Sequence, residues 1–120
     1  TEKHKAGRIS LAELYHAGLN DIAELILPPR RTDGSHIYWY FPIQAPDRHS
    51  LVEYAMRHFC DITESYHRNC AALPCFAEWN RECPNAERTA NSVIYLPTYP
   101  GYPKESVDEN IRVIRSFYGV

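Results

Sequence analysis

A chain of 120 residues, 44% hydrophobic and 23% charged, has the composition of one soluble globular domain. It is long enough to bury a core without needing a metal or a disulfide. A formal charge of −2 with scattered basic residues argues against a nucleic-acid partner. No apolar run approaches the roughly 18 residues of a membrane span, and no apolar h-region follows Thr1-Glu2-Lys3-His4-Lys5. Neither a membrane partner nor a signal peptide is therefore expected, and the cytoplasm is the expected compartment. The chain opens at Thr1 on what reads as mid-helix sequence, which we take as the sign of a piece of something longer.

Apolar residues Ile9, Leu11, Ala12, Leu14, Tyr15 and Leu19 recur at helical spacing and predict a helix over 9–19, with Ser10 as a possible N-cap. Leu25-Ile26-Leu27 reads as a short strand stopped by Pro28-Pro29, and Thr32-Asp33-Gly34-Ser35 as a turn. Residues 37–44 are the clearest strand, and Pro42 within them points to an edge or a bulge. Asp47 caps a helix over 48–59 with Leu51, Val52, Ala55, Met56 and Phe59 on one face. A short strand is expected over 61–66. Pro84 opens a helix over 85–92, and 93–96 is extended. A final helix over 104–118 carries Val107, Ile111, Ile114 and Phe117 or Tyr118. Nine prolines, seven of them at 28–29, 42, 46, 97, 100 and 103, imply short elements with sharp joins. Helices interleaved with short strands predict an α/β fold, a two-layer α+β sandwich.

Three of the four cysteines and a histidine fall within residues 67–83. The spacings His67-x2-Cys70, Cys70-x4-Cys75 and Cys75-x7-Cys83 lack the paired Cys-x2-4-Cys pattern of structural zinc. A disulfide is out of place in a chain read as cytosolic. The thiols are read as small buried or half-buried hydrophobes. His4, His16, His49 and His58 fall in predicted helices or caps and are read as solvated polar groups. His36 and His67 adjoin aromatic-rich strands. The Tyr38-Trp39-Tyr40-Phe41 stripe could stack on a ligand ring; alternation would put Tyr38 and Tyr40 on one face and Trp39 and Phe41 on the other. With five glycines and no glycine-rich loop, no phosphate cradle is present. The residues by themselves lead no further than a small α/β domain.

The order of segments carries more. Ile37-Tyr38-Trp39-Tyr40-Phe41-Pro42-Ile43 leads into Asp47-Arg48 and a helix. Asp61-Ile62-Thr63-Glu64-Ser65-Tyr66-His67 precedes Leu73-Pro74-Cys75-Phe76. Cys83-Pro84-Asn85-Ala86 opens a helix running into Ile94-Tyr95-Leu96-Pro97-Thr98-Tyr99-Pro100, and Ile111-Arg112-Val113-Ile114-Arg115-Ser116-Phe117 ends the last one. This order, with its Leu-Pro-x-Tyr-Pro segment before a terminal amphipathic helix, resembles the C-terminal small domain of the DegT/DnrJ/EryC1/StrS family of pyridoxal-phosphate-dependent sugar aminotransferases. The resemblance implies the small domain of an aspartate aminotransferase-like, fold type I enzyme, with residues 1–30 as interdomain helix and first strand and 31–120 as the domain proper.

It also implies that the large cofactor domain, absent from this chain, holds pyridoxal 5'-phosphate and most of the chemistry. Lys3, Lys5 and Lys104 are the only lysines, and none has the buried setting of a Schiff-base amine. No cofactor and no catalytic residue is therefore expected in this chain alone. Family members often carry a His-Tyr-Pro motif near the sugar, and Tyr66-His67-Arg68-Asn69 stands in that place with only His67 matching. Tyr66, His67, Arg68 and Asn69 are the expected substrate-binding residues, alongside a reading of His67 as a strand-end residue bonded to backbone. The expected partners are the large domain and a second copy in a homodimer or oligomer. A rival expectation is a stand-alone, non-catalytic binding or scaffolding module. Tyr15, Leu19 and the outer side of the 37–43 strand are expected to form the face left bare by the missing domain.

Overall fold

The computed structural model describes all 120 residues. In chain order it has α1 (Glu2–Leu19), β1 (Phe41–Gln44), α2 (Arg48–Arg57), β2 (Thr63–Glu64), two short 3-10 turns (Cys70–Ala72 and Pro74–Trp79), α3 (Pro84–Ser92), β3 (Val93–Leu96) and α4 (Lys104–Tyr118). The strands form one antiparallel sheet of order β1-β3-β2. Phe41 faces Leu96 and Ile43 faces Ile94 across the β1–β3 ladder. Because side chains alternate across a strand, these four share one face, and all four are fully buried. Over them lie α1, α2 and α4 with Leu11, Tyr15, Leu19, Leu51, Ala55, Val107, Val113 and Ile114 in the same core. The result is the expected two-layer sandwich. None of its helices is long and apolar enough to cross a membrane.

Pro42 sits where a proline does least harm. Gln44 exchanges both backbone bonds with Ile26, outside the sheet, at 2.9 and 3.0 Å. Residues two apart direct their N–H groups to the same side, so the missing donor of Pro42 also faces this outer edge. The expected strand at 25–27 is reduced to that single bridge, and the expected strand at 61–66 to Thr63–Glu64.

The 37–44 strand begins only at Phe41. Tyr38 has φ 48, a left-handed conformation that a bulky side chain rarely adopts. The turn it makes breaks the alternation, so Tyr38 and Phe41 are buried while Trp39 and Tyr40 are exposed. The Tyr38 hydroxyl donates to Pro29 O at 3.2 Å and accepts from the Arg31 N–H at 3.3 Å, and Thr98 Oγ1 donates to Tyr38 O at 2.7 Å. Tyr38 is thus a plug tying three segments together. Trp39 stays outside, beneath the Arg8 guanidinium 4.7 Å from its ring.

The expectation that Tyr15 and Leu19 form a bare face is overturned: both are fully buried. The physical reason is α4, which lies along α1. The two helices approach so closely at Gly18 that an added Cβ would stand 2.7 Å from Ile111 Cγ2. Arg115 Nη1 also donates to Gly18 O at 3.0 Å, satisfying a carbonyl that the end of α1 leaves open. Glycine in a helix costs about 1 kcal/mol relative to alanine, whereas overpacking costs typically about 1–3 kcal/mol. Gly18→Ala is therefore expected to destabilise the chain, and to stabilise it in an Ile111→Ala background; urea denaturation of the four variants reads the change of sign.

His16, read from the sequence as solvated, is buried against the Phe41 ring, 4.9 Å between centroids. The thiols depart from expectation in the opposite sense. Cys60 is buried, but Cys70, Cys75 and Cys83 are free and exposed, because the 3-10 turns that carry the first two have no buried residues to hold them against the core. No three His, Cys, Asp or Glu side chains converge where a metal ion could sit.

Candidate functional site

The segment after β2 is steered by two local bonds. Ser65 N donates to Val93 O at 2.9 Å, carrying the sheet one residue past Glu64. Asn69 then accepts from Ala71 N–H at 3.2 Å through its side chain, the capping bond that starts the first 3-10 turn. Between these two anchors Tyr66, His67, Arg68 and Asn69 line a cleft of about 420 Å³, facing Arg48 and the Glu87 and Asn91 side of α3. All four expected substrate-binding residues therefore share one cavity. Ser65, His67 and Arg68 also border a second hollow of about 260 Å³ against Ala86, Thr89, Val93 and Tyr95.

The walls are polar and of mixed charge. Glu87 accepts from Asn69 Nδ2 at 3.1 Å and from Asn91 Nδ2 at 3.0 Å, and these bonds, the Asn69 one first, hold its carboxyl below the usual carboxylate range. Arg48 donates to Ala90 O at 2.6 Å and pairs with Glu64 at 3.3 Å, which fixes it as a strut between α2, β2 and α3. Arg68 has no ion-pair partner. His67 Nδ1 lies 2.7 Å from Tyr95 Oη and 3.3 Å from Ser65 Oγ, and the Tyr66 ring stacks on the imidazole at 4.6 Å. His67 is thus bonded to side chains, not held by backbone through its ring. The cleft offers a free guanidinium, an imidazole, amides and one ionised carboxylate, a set suited to hydroxyl and anionic oxygens.

Lys3 and Lys104 are exposed, Lys5 is half-buried on α1, and none of the three lines this cleft. Arg48, Ser65, Glu87, Asn91 and Tyr95 escaped the sequence reading. One signal was available, since Glu87 and Asn91 stand four apart on a predicted helix and so share a face. The aromatic stripe contributes elsewhere: Tyr40 stacks on Tyr95 at 4.6 Å, and both line a hollow of about 110 Å³ with Trp39 and Tyr99.

The family model of the DegT/DnrJ/EryC1/StrS aminotransferases matches residues 1–115. The chain belongs to this family. No protein of curated function matches it. Among solved structures it is similar to DesV of S. venezuelae, determined in complex with a ketimine intermediate, at 22% identity and a TM-score of 0.88 over 97% of this chain and 32% of that one. It is also similar to the sugar aminotransferase CalS13 of Micromonospora echinospora, at 18% identity and a TM-score of 0.85 over 96% of this chain and 31% of that one. A third is NtdA of Bacillus subtilis, determined with bound cofactor PMP, at 19% identity and a TM-score of 0.84 over 98% and 29%. The chain spans about a third of the length of the structures it matches. At these identities the likeness is one of fold, and it is the fold type I aminotransferase architecture that this DegT/DnrJ/EryC1/StrS chain shares in part.

Proposed function

We propose that the chain is the small C-terminal domain of a pyridoxal-phosphate-dependent aminotransferase acting on a keto-sugar in sugar or sugar-nucleotide biosynthesis. Residues 1–30 act as the interdomain helix and the segment that carries the Ile26 bridge, and 31–120 as the domain proper. One observation carries the reading: Tyr66, His67, Arg68 and Asn69 line a single cleft rich in hydrogen-bond donors, with no lysine on its walls. Membership of the family supports it, as do the sugar aminotransferase CalS13 and the PMP carried by NtdA. The residues present do not fit a covalently held pyridoxal phosphate, so the cofactor belongs to the large domain of the same protein and this chain alone is inactive. The assembled enzyme is a cytoplasmic homodimer or higher oligomer. Here the cleft binds and orients the sugar, which contributes through position more than through chemistry.

Two measurements test this. In the full-length protein, Arg68→Ala removes a charged hydrogen-bond donor worth about 1.5–3 kcal/mol, so KM for a nucleotide-linked keto-sugar is expected to rise about tenfold or more while cofactor absorbance is unchanged. An unchanged KM for both Arg68→Ala and His67→Ala would remove the cleft from substrate binding. With the 120-residue chain, pyridoxal phosphate followed by borohydride is expected to leave no adduct, and an adduct on Lys3, Lys5 or Lys104 overturns the division of labour. A gene encoding these residues with no cofactor domain beside it would favour a binding or scaffolding module.

A further inference from the structure

On the wall between the two clefts, three groups close a ring of hydrogen bonds. The His67 backbone N–H donates to Ser65 Oγ at 3.2 Å, the Ser65 hydroxyl donates to Tyr95 Oη at 3.2 Å, and Tyr95 Oη lies 2.7 Å from His67 Nδ1. The last contact decides where the protons are. With the Ser65 hydroxyl already donating to Tyr95 Oη, the phenol's own proton is free to point at Nδ1, so the phenol donates and Nδ1 accepts. Each hydroxyl has one proton, and in this arrangement each spends it inside the ring. The reverse arrangement would bring two donors onto Tyr95 Oη and turn its own proton out of the ring. Which imidazole nitrogen is protonated follows from the bond the other makes. An accepting Nδ1 leaves the proton on Nε2. The ring's orientation is restricted as well, with Tyr66 stacked on it at 4.6 Å and Tyr95 edge-on at 6.0 Å.

We propose that Ser65 and Tyr95 are positioning residues that hold His67 as a neutral Nε2–H donor on the wall shared by the two clefts. The ligand-facing consequence rests on the substrate-binding reading above. A fixed N–H donor selects an oxygen acceptor, such as a sugar hydroxyl or a phosphate oxygen, and disfavours an ammonium group, which can only donate. Specificity at this point would then belong to Tyr95, on β3, as much as to His67 itself.

The test reads the tautomer directly and needs no ligand. Nitrogen-15 NMR of histidine-labelled chain, at a pH where the imidazoles are neutral, distinguishes a pyridine-like Nδ1 from a pyrrole-like Nε2. The wild type is expected to show His67 as Nε2–H alone, with the Tyr95 hydroxyl proton correlated to Nδ1 across the hydrogen bond. Tyr95→Phe is expected to release the Nδ1–H form, with Ser65 Oγ at 3.3 Å as its acceptor, giving a mixture. Ser65→Ala, which keeps the Tyr95 contact, shifts the ratio less. A wild-type ring protonated at Nδ1 overturns the proposal, as does the same tautomer ratio in wild type and Tyr95→Phe. If Tyr95→Phe does not fold, the wild-type spectrum and Ser65→Ala decide, and a missing hydroxyl correlation counts against it. Failure of the cleft to bind a sugar leaves this result untouched, so the two readings fail separately.

Discussion

Asn110→Ala is expected to cost about 3 kcal/mol, a fall in Tm of roughly 10–15 °C for a domain of this size. Asn110 is a buried polar residue on α4, and its Nδ2 donates to Tyr15 Oη and to Tyr102 Oη, both at 3.0 Å. It joins α4, α1 and the turn before α4 through one amide. Burial pushes the phenol pKa of both tyrosines up, which favours the neutral hydroxyl that accepts from Asn110. Alanine deletes two bonds, about 1 kcal/mol each, and strands the Tyr15 hydroxyl in a fully buried position for about 1–3 kcal/mol more. The origin of the loss is separable. In a Tyr15→Phe background only the Tyr102 bond is lost and no fully buried hydroxyl is stranded, so the same substitution is expected to cost only about 1 kcal/mol. Equal costs in the two backgrounds would show that the network is not what holds these elements.

Acid is expected to destabilise the chain through His16. This side chain is buried between α1 and the Tyr38–Phe41 segment, with its ring edge-on to Phe41 and Tyr38 and its Nε2 without a hydrogen-bond partner. Burial pushes its pKa below the ordinary histidine value; Glu13, one turn earlier and paired with Arg30, opposes this, and Arg30 and His36 reinforce it. The unfolded chain takes a proton at about 6.5, so below that pH it binds the proton more tightly than the folded chain does. Stability therefore falls as pH drops through about 6.5, by up to about 1.4 kcal/mol per pH unit, and levels off below the folded pKa. His16→Phe keeps a ring in the cage and removes the orphaned nitrogen. Its denaturation midpoint is expected to exceed that of the wild type, by a margin that widens between about pH 7 and 5. Parallel curves over that window would assign the acid sensitivity to other groups.

The helices were legible in the sequence and the strands much less so. Periodicity found α4 and α2 nearly to the residue and the buried part of α1, because burial of one helical face repeats along the chain; α3, which buries no residue, was marked instead by Pro84 at its first position. A strand needs a partner, and neither Leu25–Leu27 nor Asp61–Tyr66 reveals how many ladder bonds it will make. At residues 37–40 the aromatic composition was right for a strand, but the Tyr38 turn reversed which rings are inside, and left-handed tyrosine has no local signature. Tyr15 and Leu19 were known to be apolar but not that α4 covers them. The site was legible along one stretch only. Tyr66 to Asn69 are neighbours in sequence, whereas Arg48, Glu87 and Tyr95 arrive from three other elements, and only the Glu87–Asn91 spacing hinted at their side of the cleft.

The order of the strands also bears on how the chain is born. β3 is the middle strand and the last to be made, so β1 and β2 have nothing to pair with until residues 93–96 exist. The bonds from Asn110 to Tyr15 and from Arg115 to Gly18 span 95 and 97 positions of chain. At about 5–20 residues per second, α1 spends several seconds of synthesis with Tyr15 and Leu19 uncovered. Contacts this distant in sequence also slow the search for the native state. The apolar face of α1 thus lacks its α4 cover over that interval, and the arrival of α4 is the event that closes this part of the core.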